Sequence, residues 1–235
     1  MRKLLVSDYD GTFLSNSNDI NEIYKNIDVI NCFIKKGNLF SIATGRNYNS
    51  IKEETLKYQI PYNYLICNNG TSIFDSNDNL IHSRIIPFAL VIKIINYLNR
   101  TNYIKSYKYN DIFGAITDNF TQIAEIVCNT DILDIKLLEE IKRKMYYLQV
   151  IYFTIKDNGF LIIKKHSDKK EAIEFISNKE NIDNCNIITV GNDFNDYMML
   201  KCYNGYKMID SNEQLNELCI PQIESVHKLV KRIEG

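Results

Sequence analysis

Short apolar runs alternate along this chain with segments whose apolar residues recur every three or four positions. Runs such as Lys3–Ser7, Leu39–Ala43 and Ile187–Val190 have the length of buried strands, and the segments between them have the period of amphipathic helices. Strands that are separated by helices generally pair in parallel. The pattern therefore predicts an α/β fold, with a Rossmann-like parallel sheet as its core and helices on both faces.

The pattern changes in the middle of the chain. A helix opens at Pro87, and strand-like segments follow at residues 103–108, 112–117, 148–156 and 160–164, with a second helix at residues 133–145. Turns such as Asp157-Asn158-Gly159 join neighbouring strands, which favours an antiparallel sheet. We therefore predict an inserted α+β domain at residues 83–165 within a core formed by residues 1–82 and 166–235.

Composition limits the class of protein and its partners. Hydrophobic residues at 45% and charged residues at 24% are typical of a soluble globular protein, and a net charge of −1 gives no field that favours nucleic acid or an anionic membrane. Asp8 and Asp10 end the N-terminal apolar run too early for a signal peptide. The six cysteines contain no CxxC pair, which indicates free thiols. We expect a cytoplasmic monomer or homodimer with no nucleic-acid or membrane partner.

Two carboxylates, Asp8 and Asp10, follow the first predicted strand and precede Gly11 and Thr12. Ligands of open α/β sheets collect at the carboxyl ends of strands, and residues two apart on an extended chain point the same way. Close carboxylates repel one another unless a cation or a shared proton intervenes, and Mg²⁺ prefers oxygen ligands. The pair indicates a magnesium site; an acidic turn after a strand is the alternative.

Two further strand ends carry polar groups. Thr44 and Gly45 follow the strand at 39–43, where a hydroxyl and free amides can cradle a phosphate oxygen; a capped strand-to-helix turn is the alternative. The segment 191–196, Gly-Asn-Asp-Phe-Asn-Asp, follows the strand at 187–190. A helix cap at Asn195 or Asp196 accounts for one of these acids and amides and leaves the others unexplained.

Lys169 and Lys170 stand at the start of a predicted helix, residues 168–178. A cation is slightly disfavoured at a helix N-terminus, so a lysine here suggests an anionic partner. A solvated surface lysine is the alternative for either residue.

These four segments, in this order, resemble the motifs of the haloacid dehalogenase (HAD) superfamily, most closely its Cof-like sugar-phosphatase branch with a C2-type cap. The resemblance runs from Lys3 to about Ile209 and is weakest in the insert. It implies a Mg²⁺-dependent phosphatase that hydrolyses small phosphomonoesters, with sugar phosphates as the best match, through an aspartyl-phosphate on Asp8. The insert would then be a cap that excludes water and contacts the leaving group.

The resemblance also implies a role for each matching residue. Asp8 would be the nucleophile, Asp10 the general acid and base, and Lys169 the catalytic lysine, since Lys169-x-x-Ala172-Ile173 fits the family spacing better than a register starting at Lys170. The remaining roles would be phosphate binding by Thr12, Thr44, Gly45 and Lys169, substrate binding by Arg46, Asn69 and Asn195, and magnesium binding by Asp8, Asp10, Asn192, Asp193 and Asp196. Four residues of the insert, Lys105, Tyr107, Lys108 and Tyr109, would contact the substrate or form an exposed sheet face.

The chain departs from the family pattern at one position. The family usually has Gly-Asp-x-x-Asn-Asp where this chain has Asn192 in place of the first acid. Asn192 would offer magnesium a neutral oxygen, or Asp193 would supply the anionic ligand instead. We expect this departure to weaken magnesium binding.

Two other functions use the same residues. A phosphotransferase or phosphomutase would form the same aspartyl-phosphate and pass it to an acceptor other than water. A non-catalytic sensor of phosphate ligands is the second alternative, motivated by Asn192 alone.

Overall fold

A computed structural model of the protein describes residues 1–16 and 19–234, and contacts divide the chain into two compact units. The first unit comprises Met1–His82 and Asp168–Gly235, and the second comprises Ser83–Ser167. Within the described ranges, no helix combines the length and the apolar character that crossing a membrane requires.

The described residues form the following strands and helices, numbered separately in chain order. The strands are β1 (Leu4–Ser7), β2 (Leu39–Ala43), β3 (Tyr64–Cys67), β4 (Ser72–Asp75), β5 (Leu80–Ser83), β6 (Ile104–Asn110), β7 (Glu125–Thr130), β8 (Gln149–Ile155), β9 (Asn158–Lys164), β10 (Ile187–Gly191), β11 (Asn204–Met208) and β12 (Gln222–Ile223). The helices are α1 (Ile20–Lys35), α2 (Tyr48–Tyr58), α3 (Phe88–Leu98), α4 (Ile135–Lys144), α5 (Lys169–Glu180), α6 (Tyr197–Cys202) and α7 (Val226–Glu234).

The first unit is built on an eight-stranded sheet in the order β12-β11-β10-β1-β2-β3-β4-β5. The strands from β12 to β3 are parallel, and β4 pairs with β3 in the antiparallel sense. In β1, Leu5 faces a core cluster shared with α1, α2 and α7, while Leu4 and Val6 face a cluster shared with α5 and α6. Helices therefore cover both faces, and the predicted fold class is confirmed.

The first helix shows how the sequence pattern becomes structure. The Asp19 carboxylate accepts a hydrogen bond from the Asn21 amide at 2.9 Å and caps the helix. Ile23, Ile27 and Ile30 are buried, as residues three or four apart share one face of a helix. Gly37, just beyond the helix, takes a φ of +86°, which allows the chain to turn toward β2.

The second unit contains an antiparallel four-stranded sheet in the order β6-β7-β9-β8, packed with α3 and α4 around its own apolar cluster. The prediction of a strand at residues 112–117 was wrong. There the Asp111 carboxylate accepts hydrogen bonds from the Phe113 and Ala115 amides, and Gly114 has a φ of +88°, so the segment is a turn. The strand β7, which our sequence analysis did not predict, pairs with β6 instead.

The candidate substrate-contacting residues of the insert do not share one face. Tyr107 and Tyr109 pack against the apolar cluster beneath α3 and α4, whereas Lys108 lies on the opposite side of β6. Lys105 is paired with Asp131 at 2.7 Å. The two tyrosines therefore stabilise the sheet packing rather than forming part of an exposed sheet face.

Candidate active site

The three polar strand ends meet because their strands are neighbours in the sheet. Ser7 pairs with Val190 on one side and with Ile42 on the other, so the residues that follow β1, β2 and β10 emerge at one edge. A pocket of about 320 Å³ opens there. It is lined by Asp8, Asp10, Gly45, Arg46, Asn192, Asp193 and Asn195.

Lys169 lies at the bottom of this site between two carboxylates. Its Nζ is 2.6 Å from Asp8 Oδ1 and 2.6 Å from Asp196 Oδ1, and the lysine side chain is fully buried. Asp168 caps the start of α5 and so places Lys169 in the first turn. Lys170, by contrast, points outward and pairs with Glu174 at 2.5 Å.

Burial and charge oppose one another in this group. Burial raises the pKa of Asp8 to about 7, against the lowering effect of the Lys169 ammonium. Burial alone would lower the pKa of Lys169, but the Asp196 and Asp8 carboxylates outweigh it and raise that pKa above the ordinary value. Lys169 is therefore a fixed cation, and Asp8 is an acid whose ionised form is costly without a positive partner.

Asp196 holds the loop that carries the third motif. Its Oδ2 accepts hydrogen bonds from the Asn192 amide at 2.9 Å and the Asp193 amide at 3.1 Å. Gly191 makes this close approach possible, because a Cβ there would lie 2.5 Å from Asp196 Oδ2. Both Asp196 oxygens therefore bind the protein itself, one through Lys169 and one through the loop, rather than facing the pocket.

Asp193 has its own partners at the pocket edge. Its Oδ1 accepts hydrogen bonds from the Phe194 amide at 2.8 Å and from Asn212 Nδ2 at 2.9 Å. Its carboxylate thus caps the short turn that precedes α6, which leaves the centre of the third motif to Asn192.

The Asn192 carboxamide lies among three oxygen atoms. Its inward-facing atom is 3.0 Å from the Asp10 carbonyl oxygen, 3.1 Å from Asp8 Oδ2 and 3.1 Å from Thr12 Oγ1. If that atom is nitrogen, its two N–H groups are shared as donors among these three oxygens. If it is oxygen, the Thr12 hydroxyl donates to it at 3.1 Å, and the Asp8 and Asp10 oxygens face it with no hydrogen between them.

This oxygen arrangement fits a magnesium ion. Ligands at about 2.0–2.1 Å in an octahedron lie about 3 Å from their neighbours, and Asn192 lies at that distance from both acidic residues' oxygens. Within the described ranges no three His, Cys, Asp or Glu side chains are grouped to hold a metal ion. The donors that fit here are different in kind: one carboxylate oxygen, one backbone carbonyl and one carboxamide.

The comparisons with known proteins bear on this arrangement. A family model described as haloacid dehalogenase-like hydrolase matches residues 5–119 and 99–228. The chain belongs to this family. A candidate phosphatase from Buchnera aphidicola subsp. Baizongia pistaciae is 28% identical, with 96% of this chain and 93% of that protein aligned. The 5-amino-6-(5-phospho-D-ribitylamino)uracil phosphatase of Bacillus subtilis is 25% identical, with 85% and 80% aligned.

Solved structures share the fold of this chain. The crystal structure of a Thermotoga maritima protein has a TM-score of 0.79 at 19% identity and covers 100% of this chain and 98% of that one. A HAD subclass IIB sugar phosphatase has a TM-score of 0.72 at 16% identity and covers 99% of each chain. The predicted membership of the HAD superfamily is confirmed, and so is the predicted enzyme class, a HAD-type phosphoric monoester hydrolase.

In this HAD-like hydrolase Arg46 binds the carboxylate of Asp10. The guanidinium donates from Nε to Asp10 Oδ2 at 2.9 Å and from Nη2 to Asp10 Oδ1 at 2.6 Å. Paired hydrogen bonds of this kind are stronger than a single contact. Asp10 raises the pKa of Arg46 above its ordinary value, so the pair is ionic.

Two residues beside Arg46 were missed in the sequence analysis. Glu54 Oε1 lies 3.3 Å from Arg46 Nη1, and its Oε2 accepts a hydrogen bond from the Tyr9 hydroxyl at 2.9 Å. The Arg46 guanidinium also lies 5.0 Å above the Tyr9 ring, a cation–π distance. The position of Tyr9 between the two acids was the available signal; nothing in the spacing pointed to Glu54.

The remaining predicted residues surround the pocket at different depths. Thr44 is buried, and its hydroxyl accepts a hydrogen bond from the Arg46 amide at 3.1 Å, so it shapes the loop around Gly45. Asn69 donates its amide to the Thr44 carbonyl at 2.9 Å and accepts a hydrogen bond from Asn195 Nδ2 at 3.0 Å. The second and third motifs are thereby tied together at the pocket mouth.

Proposed function

We propose that this protein is a Mg²⁺-dependent phosphatase that hydrolyses small phosphomonoesters, with sugar phosphates as the favoured class, through an aspartyl-phosphate on Asp8. The observation that carries the proposal is the contact between Lys169 and Asp8 at 2.6 Å, beside an open polar pocket that also contains Asp10. A carboxylate next to a fixed cation has the charge and the access that a nucleophile toward phosphorus needs.

The reaction would proceed in two displacements. An Asp8 carboxylate oxygen bonds to phosphorus as the bond from phosphorus to the leaving alcohol breaks, and Asp10 gives that alcohol a proton. Asp10 then takes a proton from the water that attacks the phosphoryl group, which releases inorganic phosphate and restores Asp8. Lys169 balances the charge of Asp8 in the resting state and of the phosphoryl oxygens during transfer.

The residues that would hold magnesium are Asp8 through its carboxylate, Asp10 through its backbone carbonyl and Asn192 through its carboxamide oxygen. Their oxygens already lie at distances that suit neighbouring ligands. A bound Mg²⁺ would neutralise the negative charge that gathers where the phosphoryl group meets Asp8. Of the two ligands left open by the sequence, Asn192 is favoured over Asp193, because the Asp193 carboxylate already caps the turn.

Arg46 must leave Asp10 before Asp10 can act as an acid. Each Asp10 oxygen accepts a hydrogen bond from Arg46, so the guanidinium engages both oxygens of the carboxylate in this arrangement. An anionic phosphate ester entering the pocket offers the guanidinium a second acceptor. We infer that the substrate draws Arg46 away from Asp10, while Glu54 and Tyr9 keep the guanidinium at the pocket mouth.

The substrate class is supported by the pocket lining and by relatives. The pocket is lined by charged groups, amides and one glycine, which suits a leaving group rich in hydroxyls better than an apolar one. The Bacillus subtilis relative is named for a phosphorylated ribitylamino compound, and one structural neighbour for a sugar phosphate. We assign residues 83–167 the role of the cap.

A screen of phosphate esters tests the proposal. Release of inorganic phosphate is measured with Mg²⁺ and with EDTA, for the native protein and for Asp8→Asn, and the native reaction is quenched in acid to trap phosphoprotein. We expect Mg²⁺-dependent turnover and an acid-stable, hydroxylamine-sensitive phosphate on Asp8. Turnover that survives in Asp8→Asn would end the covalent mechanism.

A further inference from the structure

Asn192 lies beside two oxygen atoms, Asp8 Oδ2 and the Asp10 carbonyl oxygen, that neither Lys169 nor Arg46 contacts. Lys169 binds Asp8 through Oδ1, and Arg46 binds the Asp10 carboxylate, so both neighbouring cations are engaged with other oxygens. Asp8 Oδ2 and the Asp10 carbonyl oxygen converge instead on the Asn192 carboxamide, at 3.1 and 3.0 Å.

The carboxamide is held at this point from two sides. The Asn192 amide donates to Asp196 Oδ2 at 2.9 Å, and its carbonyl accepts from the Asn212 amide at 2.7 Å, so the backbone is fixed. Gly11 lies against the side chain, since a Cβ at that position would come within 2.1 Å of Asn192 Nδ2. The side chain therefore retains one substantial freedom, rotation about its Cβ–Cγ bond.

Half a turn about that bond exchanges the nitrogen and the oxygen of the carboxamide. With nitrogen inward, the group donates to Asp8 Oδ2 and to the Asp10 carbonyl, as a cation would attract them. With oxygen inward, it adds an acceptor to the same set and completes a group of three oxygens suited to magnesium. An aspartate at this position provides only acceptors in either orientation.

We propose that, in the protein without Mg²⁺, the Asn192 carboxamide nitrogen donates to the acidic oxygens that the cation would otherwise contact. When Mg²⁺ binds, the carboxamide rotates by half a turn about its Cβ–Cγ bond, and its oxygen becomes a neutral ligand. This inference rests on the magnesium site of the proposed function. In this inference Asn192 does more than weaken metal binding. It lets the loop between Gly191 and Asp196 keep its hydrogen bonds whether or not the ion is present.

The test compares thermal stability without metal and affinity for Mg²⁺ in three variants. Asn192→Asp keeps the size of the side chain and removes its donor. Asn192→Leu keeps a similar volume and removes donor and acceptor together. Asn195→Asp is the matched control, because it adds the same charge in the same loop at an exposed position, where the side chain donates to Asn69. Melting is followed in EDTA and in Mg²⁺, and Mg²⁺ binding is measured by calorimetry.

We expect Asn192→Asp to melt about 5 °C or more below the native protein in EDTA, and Asn195→Asp to stay within about 2 °C of it. Asn192→Asp should bind Mg²⁺ about tenfold more tightly than the native protein. Asn192→Leu should also melt early in EDTA and should gain little from Mg²⁺. If Asn192→Asp does not fold without metal, Asn192→Leu carries the EDTA comparison.

Two results would overturn the inference. Equal melting of Asn192→Asp and Asn195→Asp in EDTA would show that Asn192 does not substitute for a cation, and would leave the phosphatase proposal standing. Unchanged Mg²⁺ affinity in Asn192→Leu would show that Asn192 is not a ligand. A failure of the phosphatase proposal would be seen in a different experiment, as the absence of Mg²⁺-dependent phosphate release by the native protein in the phosphate-ester screen.

Discussion

Replacing Lys169 with methionine removes the cation between two buried carboxylates and leaves the side-chain volume nearly unchanged. Lys169 lies 2.6 Å from each acid, and Asp8 and Asp196 are 5% and 0% exposed. Removing one partner of a buried ion pair costs about 3–5 kcal/mol, because the remaining charge has no compensation. With two carboxylates left behind, we expect the upper part of that range, about 4–5 kcal/mol at pH 8, which is a large fraction of the stability of a typical domain.

The loss should depend on pH in a definite direction. Burial raises the pKa of Asp8 to about 7, so Asp8 binds a proton more readily in the folded state than in the unfolded state. Such a group supports stability below its unfolded pKa, and this support is lost as pH rises through about 7. Without Lys169, whose charge lowers the pKa of Asp8, protonation would persist to higher pH. The variant should therefore lose about 1 kcal/mol less stability at pH 5.5, where Asp8 is protonated in both proteins, than at pH 8.

Urea denaturation in EDTA at pH 5.5 and pH 8 measures the free energy of unfolding of Lys169→Met and of the native protein. The chain has no tryptophan, so far-UV circular dichroism is the suitable signal. Lys170→Met is the matched control: Lys170 is next in the chain and pairs with Glu174 at the surface, where such pairs contribute about 0.3–0.5 kcal/mol. A loss below about 1 kcal/mol in Lys169→Met, or an equal loss at both pH values, would refute the argument that Lys169 balances Asp8.

Three further predictions concern the same site. Gly191→Ala should destabilise the protein by about 1–3 kcal/mol, because its Cβ would lie 2.5 Å from Asp196 Oδ2; a melting temperature equal to the native value would contradict this. Arg46→Lys should raise KM for a phosphate ester about tenfold and change kcat less, since a lysine cannot make both hydrogen bonds to one acceptor; an unchanged KM would show that Arg46 does not bind substrate. The value of kcat/KM should rise with pH as Asp8 loses its proton, with a midpoint at or below about 7; a value that falls as pH rises from 5 to 7 would exclude Asp8 as the group that must ionise.

The convergence of the site was predictable because it follows from strand order. Asp8 and Thr44 follow strands whose buried, apolar residues pair in parallel, and parallel neighbours end at one edge of a sheet. The choice of Lys169 over Lys170 followed from the resemblance to the family, and the structure supplies its physical basis, since Lys169 is buried in the first turn of α5 together with Ala172 and Ile173. The alternation of strands and helices led to the first inference, and the resemblance to the family led to the second.

The errors arose where side chains, rather than periodicity, decide the structure. Residues 112–117 have an apolar pattern, but Asp111 binds the backbone of that segment and bends it into a turn. The strand β7 alternates partly buried and buried positions, yet its polar residues concealed it. Helix α7, whose Leu229 and Val230 complete the core, lay beyond the last segment that we assigned. Glu54 could not be found because its role depends on contacts across the fold.

The three acids of this site bind different partners, and these partners determine which contact an incoming phosphate can displace first. Asp196 is held by Lys169 and the loop amides, so it is structural, while Asp8 shares Lys169 and Asp10 is held by Arg46. Of these contacts, the pair between Arg46 and Asp10 is the most exposed, with side chains 27% and 53% accessible, so water screens it more than it screens the buried contacts of Lys169. It is therefore the one that an incoming phosphate can replace at little cost. The buried contacts of Lys169 persist, so in the proposed reaction Asp10 can be freed from Arg46 while Asp8 keeps its contact with Lys169.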